Sequence, residues 1–216
     1  MKRGTPMNAY KTLRKSAETE YVVQKSRFIG HAAPVSDANG ALLCLETVRQ
    51  AHRGASHNCF AYIVGRNKGI IRYSDDGEPS GTAGKPIVEV MTAKDVVDCI
   101  VVITRYFGGI LLGTGGLVRA YAHTASLALD AAGICAMYET VRWQVSIAYP
   151  LWDRVENAVK SLPVAVESTE YADFVRLILL CRVSDEESVI RGLRQITGGK
   201  IKAVREELPF FHPWSD

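Results

Sequence analysis

The chain predicts an α+β fold in two domains, and three features of its 216 residues carry that prediction. The first is a β-branched apolar run at 101–104 that feeds a glycine-dense loop and then an alanine- and leucine-rich segment, the mark of a buried strand turning into a buried helix. The second is an alternation of strand and helix patterns between 141 and 204, in the order strand, helix, strand, strand, helix, strand. The third is the break between them. Gly133 stops the first pattern, a new one starts at Val141, and each closes independently on its own side of residues 133–140.

The elements follow in order. Residues 1–18 are polar, basic and without period, and are expected to form a flexible arm in which Met7 offers an alternative start. A strand is expected from Tyr21 through Phe28 and Ile29 to Pro34. Ser36 then suits a helix N-cap, with Ala38, Ala41, Leu42, Leu45 and Val48 along one face. Residues 57–64 and 70–73 read as two strands joined by a turn at 65–69. After a polar loop comes a short helix near 86–91, then the strand ending at Thr104. The helix over 114–132 is the clearest: Arg119, His123, Ser126 and Asp130 form one polar stripe and the rest of its circumference is apolar. His123 reads as a stripe-edge side chain with a hydrogen-bond partner. Gly133 supplies the stop.

In the second domain Val141, Trp143, Val145 and Ile147 alternate with polar residues, as in a half-buried strand. Pro150 opens a helix carrying Leu151, Val155, Val159 and Leu162. Two strands follow, one from Val164 and one over 174–183, joined near Asp173; the second is the most apolar, as a central strand should be. Ser184-Asp185-Glu186-Glu187 reads as a capping box, and Gly198-Gly199 ends that helix before a last strand over 201–204. This βαββαβ order is the ferredoxin-like arrangement. The domain limits are 19–138 and 139–208, with 209–216 as a tail.

Composition narrows the function classes. Hydrophobic residues make up 47% and charged residues 23%, as in ordinary globular proteins. No apolar run reaches the ~18 residues of a membrane span, and no h-region follows the basic N-terminus, so a cytoplasmic location without membrane association is expected. The net charge of +3 sits at one end. Residues 1–27 hold seven Lys/Arg against two Glu, while 28–140 and 141–216 each come to −1. A globally basic nucleic-acid binder is excluded; a local patch is not. The five cysteines, Cys44, Cys59, Cys99, Cys135 and Cys181, are scattered, odd in number and free of C-x-x-C pairing. They read as buried thiols of a reducing compartment, with no ligand cluster for a metal. No cofactor is implied.

Two loops hold the candidate chemistry. In the loop at 108–116, Gly108, Gly109, Gly113, Gly115 and Gly116 leave the backbone bare, with Thr114 among them, where a helix begins. Free N–H groups and the positive end of the helix dipole make such a place suited to anions, although a tight turn alone would also need glycines. It fits neither the Walker lysine pattern nor the dinucleotide fingerprint. The loop at 74–86 holds Asp75, Asp76, Glu78 and Lys85 with little apolar anchoring, as functional loops often do.

Together with Ser26-Arg27-Phe28-Ile29 and His57-Asn58-Cys59-Phe60-Ala61-Tyr62, these two loops resemble the IMPACT/YigZ family over about residues 20–135, followed by a C-terminal extension like that of its bacterial members. The resemblance implies that the first domain is the α/β sandwich shared by a ribosomal small-subunit protein, domain IV of elongation factor G and the GHMP small-molecule kinases, and that the second is similar to a domain of elongation factor G. It also implies an association with translation and its control. Fold alone does not choose among ribosome binding, RNA binding and phosphoryl transfer.

The leading expectation is a regulatory factor without catalysis that binds RNA, the ribosome or a translation-machinery protein. Its surface would join Arg27, Lys85, Arg105, Tyr106 and the glycine-loop backbone, with His57 and Asn58 at the border. Tyr106 or Phe107 would stack on a base, although Phe107 reads first as core. Arg105 is equally suited to an ion pair with Asp75, Asp76 or Glu78. The alternative is a Mg²⁺-dependent enzyme on a phosphorylated small molecule: the glycine loop holds phosphate, Asp75 or Asp76 binds the ion or acts as base, and Lys85 steadies the transferring charge. Both readings require the acidic loop and the glycine loop to meet at one cleft.

Overall fold

The computed structural model describes residues 9–206 and 208–214. Contacts divide them into two compact units, Tyr10–Ala136 and Met137–Trp214, with Ala9 grouped with the second. Residues 1–8 of the expected arm lie outside the described residues. The rest of that arm is ordered: β1 (Ala9–Leu13) is followed by β2 (Ala17–Val23). The single strand expected over 21–34 is broken by a turn: residues 21–23 end β2, and residues from 26 on form β3 (Ser26–Pro34), which pairs back on β2 as a hairpin. Gln24 and Lys25 alone form its loop, at φ 44° and 63°. Two successive left-handed residues make the mirror-image turn that matches strand twist. This turn usually draws Asn-Gly, so Gln-Lys carries no signal for it.

The first unit is built on a five-stranded antiparallel sheet in the order β2-β3-β6-β4-β5, where β4 is His57–Val64, β5 Ile70–Ser74 and β6 Cys99–Tyr106. Alternation along these strands divides two cores. On one face Cys59, Ala61, Val101 and Ile103 pack against α2 (Gly84–Ala93) and α3 (Gly113–Ala132). On the other, Tyr62, Val64, Ile100 and Val102 pack against α1 (Ala38–Ala51). The N-cap of α1 is Asp37, not Ser36, its carboxylate accepting the Gly40 N–H at 2.8 Å. Leu42, expected on the buried face, is exposed, while Ala41, Leu45 and Val48 are buried. Along α3, His123 meets Tyr21 edge-on at 4.6 Å.

The second unit has the ferredoxin-like order. The long β7 (Ile134–Ile147), α4 (Trp152–Val159), β8 (Val164–Tyr171), β9 (Val175–Arg182), α5 (Glu186–Ile196) and β10 (Lys202–Arg205) run βαββαβ. The strands lie β10-β7-β9-β8, all antiparallel. Val141, Val145, Leu177, Leu179 and Leu193 are among the residues of its core. Three expectations are corrected. Residues 134–140 continue the strand rather than intervening before it. The expected tail contains β11 (Phe210–Pro213), paired with β7 at residues 137–140. The capping box does not form, because residues 183–185 make a 3₁₀ turn and Asp185 caps α5 without a side-chain hydrogen bond.

All five cysteines are free thiols, and only Cys44 is not fully buried. Burial pushes the Cys59, Cys99 and Cys181 thiols up to about 12. A thiolate-selective reagent at pH 8 is expected to titrate at most one thiol per native chain, at Cys44, and five after denaturation. Fast modification of two or more in the native protein would contradict the packing described.

Candidate functional site

The polar loop between β5 and α2 is held by its own carboxylates. The Asp75 carboxylate accepts three backbone N–H bonds, from Gly81 at 2.8 Å, Ala83 at 3.0 Å and Gly84 at 2.8 Å. Asp76 accepts the Asn58 N–H at 2.6 Å and one Arg49 N–H at 3.2 Å. Both aspartates therefore anchor the loop to itself and to the edge of β4. Asn58 is engaged too, accepting the Thr104 hydroxyl at 2.7 Å.

Glu78 is different: it turns inward. It is 8% exposed, and its Oε1 accepts Arg105 Nη1 and the Tyr121 hydroxyl, each at 2.7 Å. Arg105 is 5% exposed, with its guanidinium 5.3 Å from the Phe28 ring centroid and 5.5 Å from that of Phe107. Nη2 donates to Ser26 Oγ at 3.3 Å, but the buried Nε–H has no partner among the described residues. Burial, with Cys59 and Glu78 adjacent, lifts the Tyr121 hydroxyl far above the ordinary phenol range, so it remains a donor. The ion pair anticipated for Arg105 is the one with Glu78.

His57 stands opposite Arg105 in the β4–β6 register. Its Nδ1 lies 2.8 Å from the Asp76 carbonyl oxygen, which can only accept, so Nδ1 carries the proton. Nε2 lies 4.0 Å from Glu78 Oε1. Beside these groups opens a cleft of about 540 Å³, whose lining includes the polar His57, Glu78, Arg105 and Thr114 and the apolar Phe107, Leu111, Leu112 and Leu117. Phe107, expected as core, is half-exposed here, and Leu111 is 84% exposed.

The glycine loop ends at the same cleft. Leu112 is right-handed helical and Gly113 has φ +68°. A right-handed residue followed by one of positive φ is the kind of backbone step from which anion-binding concavities are made. The helix behind it has no side-chain cap and no acidic residue in its first turn, so its first N–H groups and dipole are left uncompensated. The other glycines answer to different needs. A Cβ on Gly108 would lie 2.0 Å from the Lys25 carbonyl carbon, so Gly108 serves the packing of the hairpin. Gly115 has neither a positive φ nor a close neighbour: a Cβ there would meet only Arg119 Nη1, at 3.6 Å. Glycine in a helix is unfavourable by roughly 0.5–1 kcal/mol relative to alanine, and no contact within the chain requires it at 115.

The structure thus brings Glu78, His57, Arg105, Gly113 and Thr114 together at one cleft and leaves other expected residues apart. Tyr106 follows Arg105 on β6 and points to the α1 face, where its hydroxyl meets His52 Nδ1 at 3.0 Å. Arg27, its partner in the β3–β6 register, pairs with Glu20 at 2.9 Å and lies 5.8 Å over the Tyr106 ring. Lys85 is exposed at the start of α2 and does not line the cleft. Tyr121, Ser26 and Leu111 were not anticipated. Tyr121 had a readable signal: a tyrosine on the buried face of a helix needs a partner for its hydroxyl. Among the described residues, no group of three or more His, Cys, Asp or Glu assembles as a metal-ligand set.

Residues 24–129 match the family described as the Impact N-terminal domain, and residues 145–200 match a domain of unknown function (DUF1949). The chain is 33% identical to IMPACT family member YvyE of Bacillus subtilis over 94% of each sequence. It is 43% identical to IMPACT family member YigZ of Escherichia coli over 50% of this chain and 53% of that one. Protein IMPACT of Xenopus laevis is 38% identical over 42% of this chain and 30% of its own. A crystal structure titled as that of a hypothetical protein superposes at a TM-score of 0.60 with 28% identity, covering 93% of this chain and 98% of that one.

Proposed function

From the premise that this chain belongs to the IMPACT family, we propose that it is a regulatory factor of translation that binds RNA, free or within the ribosome, through the cleft at the start of α3. Family membership supports the regulatory, translation-related part of this reading. The RNA-contacting part rests on one observation: the uncapped α3 mouth, with Gly113 at positive φ, opens on the same cleft as the buried Arg105. Backbone N–H groups and a guanidinium converging on one place suit a phosphate group. The half-exposed Phe107 ring at the cleft wall offers a base a stacking surface. Asp75 and Asp76 have structural work as acceptors of backbone N–H groups. That favours binding over the Mg²⁺-dependent transfer considered from the sequence.

Gly115→Asp isolates this reading from stability. The Cβ has room, and a carboxylate in the first turn of a helix is favourable to the fold. The same carboxylate offsets the positive end of α3 that would draw an anion. In co-sedimentation with ribosomes and with single-stranded RNA across a salt series, the native chain is expected to lose affinity linearly in log salt. Gly115→Asp is expected to bind more weakly, with a slope shallower by about one, at an unchanged or higher Tm. Binding indifferent to salt, or to this substitution, would refute the reading.

A further inference from the structure

We propose that the cleft is built for a nucleotide carrying a terminal phosphate monoester, with the phosphate on the α3 mouth and the base against Phe107 and Leu111. The proposal rests on the placement of phosphate in the RNA-binding reading above and gives the ligand its chemistry.

Four observations carry it. The mouth of α3 presents the N–H groups of its first turn without a side-chain cap, and right-handed Leu112 is followed there by Gly113 at φ +68°. Arg105, 95% buried and lining the same cleft, keeps an Nε–H that donates to nothing among the described residues. His57 also lines the cleft; with its Nδ1 proton held by the Asp76 carbonyl, its Nε2 is an acceptor, suited to a hydroxyl or base N–H of the ligand and not to the phosphate. Gly115 leaves bare backbone near the start of α3, where an added Cβ would meet only Arg119 Nη1, at 3.6 Å.

Supply exceeds what an internal phosphodiester can use. Such a group offers two non-bridging oxygens and one negative charge, and a chain must leave it in both directions. A monoester offers three terminal oxygens and close to two charges, with one exit. The Thr114 hydroxyl, the first-turn amides and the Arg105 side match three oxygens better than two. One carboxylate, Glu78, lines the cleft, and Arg105 already neutralises it at 2.7 Å. A second anionic charge therefore meets no uncompensated one there. A cleft of about 540 Å³ with a mixed polar and apolar lining falls in the size range of small-molecule sites. The apolar part of that lining, Phe107, Leu111 and Leu112, suits a base and ribose better than a sugar or a peptide.

The test measures equilibrium binding of the full chain, by fluorescence competition, to one RNA octamer bearing a 5′-phosphate, a 3′-phosphate or hydroxyls at both ends, and to AMP and inorganic phosphate. At least one phosphorylated end is expected to bind about tenfold tighter than the hydroxyl-ended octamer, the gain of one added charge-assisted hydrogen bond. Gly115→Asp is expected to abolish that preference. AMP competing as well as the phosphorylated octamer identifies a free nucleotide as the source; AMP competing much more weakly identifies an RNA end. Equal affinity for all three octamers, still sensitive to Gly115→Asp, overturns the monoester proposal and leaves the RNA-binding reading standing. AMP binding without binding of any octamer supports the monoester chemistry and overturns the RNA reading. Inorganic phosphate competing as well as AMP overturns the assignment of the apolar lining to a base.

Discussion

Glu78→Ala is expected to destabilise the protein by roughly 3–5 kcal/mol, the usual result of removing one member of a buried pair. The carboxylate is 3% exposed and accepts both Arg105 and Tyr121 on one oxygen. Its removal strands a guanidinium packed between Phe28 and Phe107 and a tyrosine hydroxyl held above the cysteine Cys59 at 3.3 Å. Arg105→Ala is expected to fall in the same range, so it is no clean probe of binding, although the sequence alone recommends it as one. The double variant Glu78→Leu/Arg105→Met removes both charges and is expected to recover most of the loss. Denaturant melts of the two single variants and the double variant check this. Single-variant losses below about 1 kcal/mol would show that the pair is hydrated and not the buried anchor of the loop.

Two glycines seven residues apart are expected to respond with opposite sign. A Cβ on Gly108 would lie 2.0 Å from the Lys25 carbonyl carbon, 2.1 Å from its oxygen and 2.4 Å from the Ser26 nitrogen. All three are backbone atoms, so either the β2–β3 turn or the strand end must move. Ser26 Oγ accepts from both Gly108 N–H and Arg105, and that movement would loosen both bonds. Gly108→Ala is expected at the upper end of the ~1–3 kcal/mol that overpacking costs, lowering Tm by about 4–10 °C in a chain of this size. Gly115→Ala meets no obstacle and is expected to raise stability by roughly 0.5–1 kcal/mol. A Tm that rises for both, or falls for both, would mean the loop is not packed as described.

Much of this architecture was legible because the signals are local. The α3 pattern, the β4–β5 pair and the βαββαβ order of the second unit all follow from apolar period and turn residues. The β2–β3 hairpin was not legible, because Gln24-Lys25 adopts left-handed backbone without the residues that announce it. Nor was β11, whose four residues become a strand only by pairing with a segment some 70 positions earlier. At the site, the meeting of Glu78, Arg105 and the glycine loop was anticipated. The error over Tyr106 came from ending the strand at Thr104: once β6 extends through Tyr106, alternation alone sends Arg105 and Tyr106 to opposite faces. The roles of Asp75 and Asp76 could not be read from composition. An aspartate that accepts its own loop's N–H groups and one that awaits a cation look alike in sequence.

The most direct test of the central claim is a titration of ¹⁵N-labelled protein with a short single-stranded RNA, followed by amide chemical shifts. The account predicts that the amides of Gly113, Thr114, Gly115 and Gly116 shift most, together with the Arg105 Nε–H, and that added salt reverses the shifts. Saturable RNA binding that leaves these amides in place, with the perturbed residues elsewhere in the chain, would contradict it.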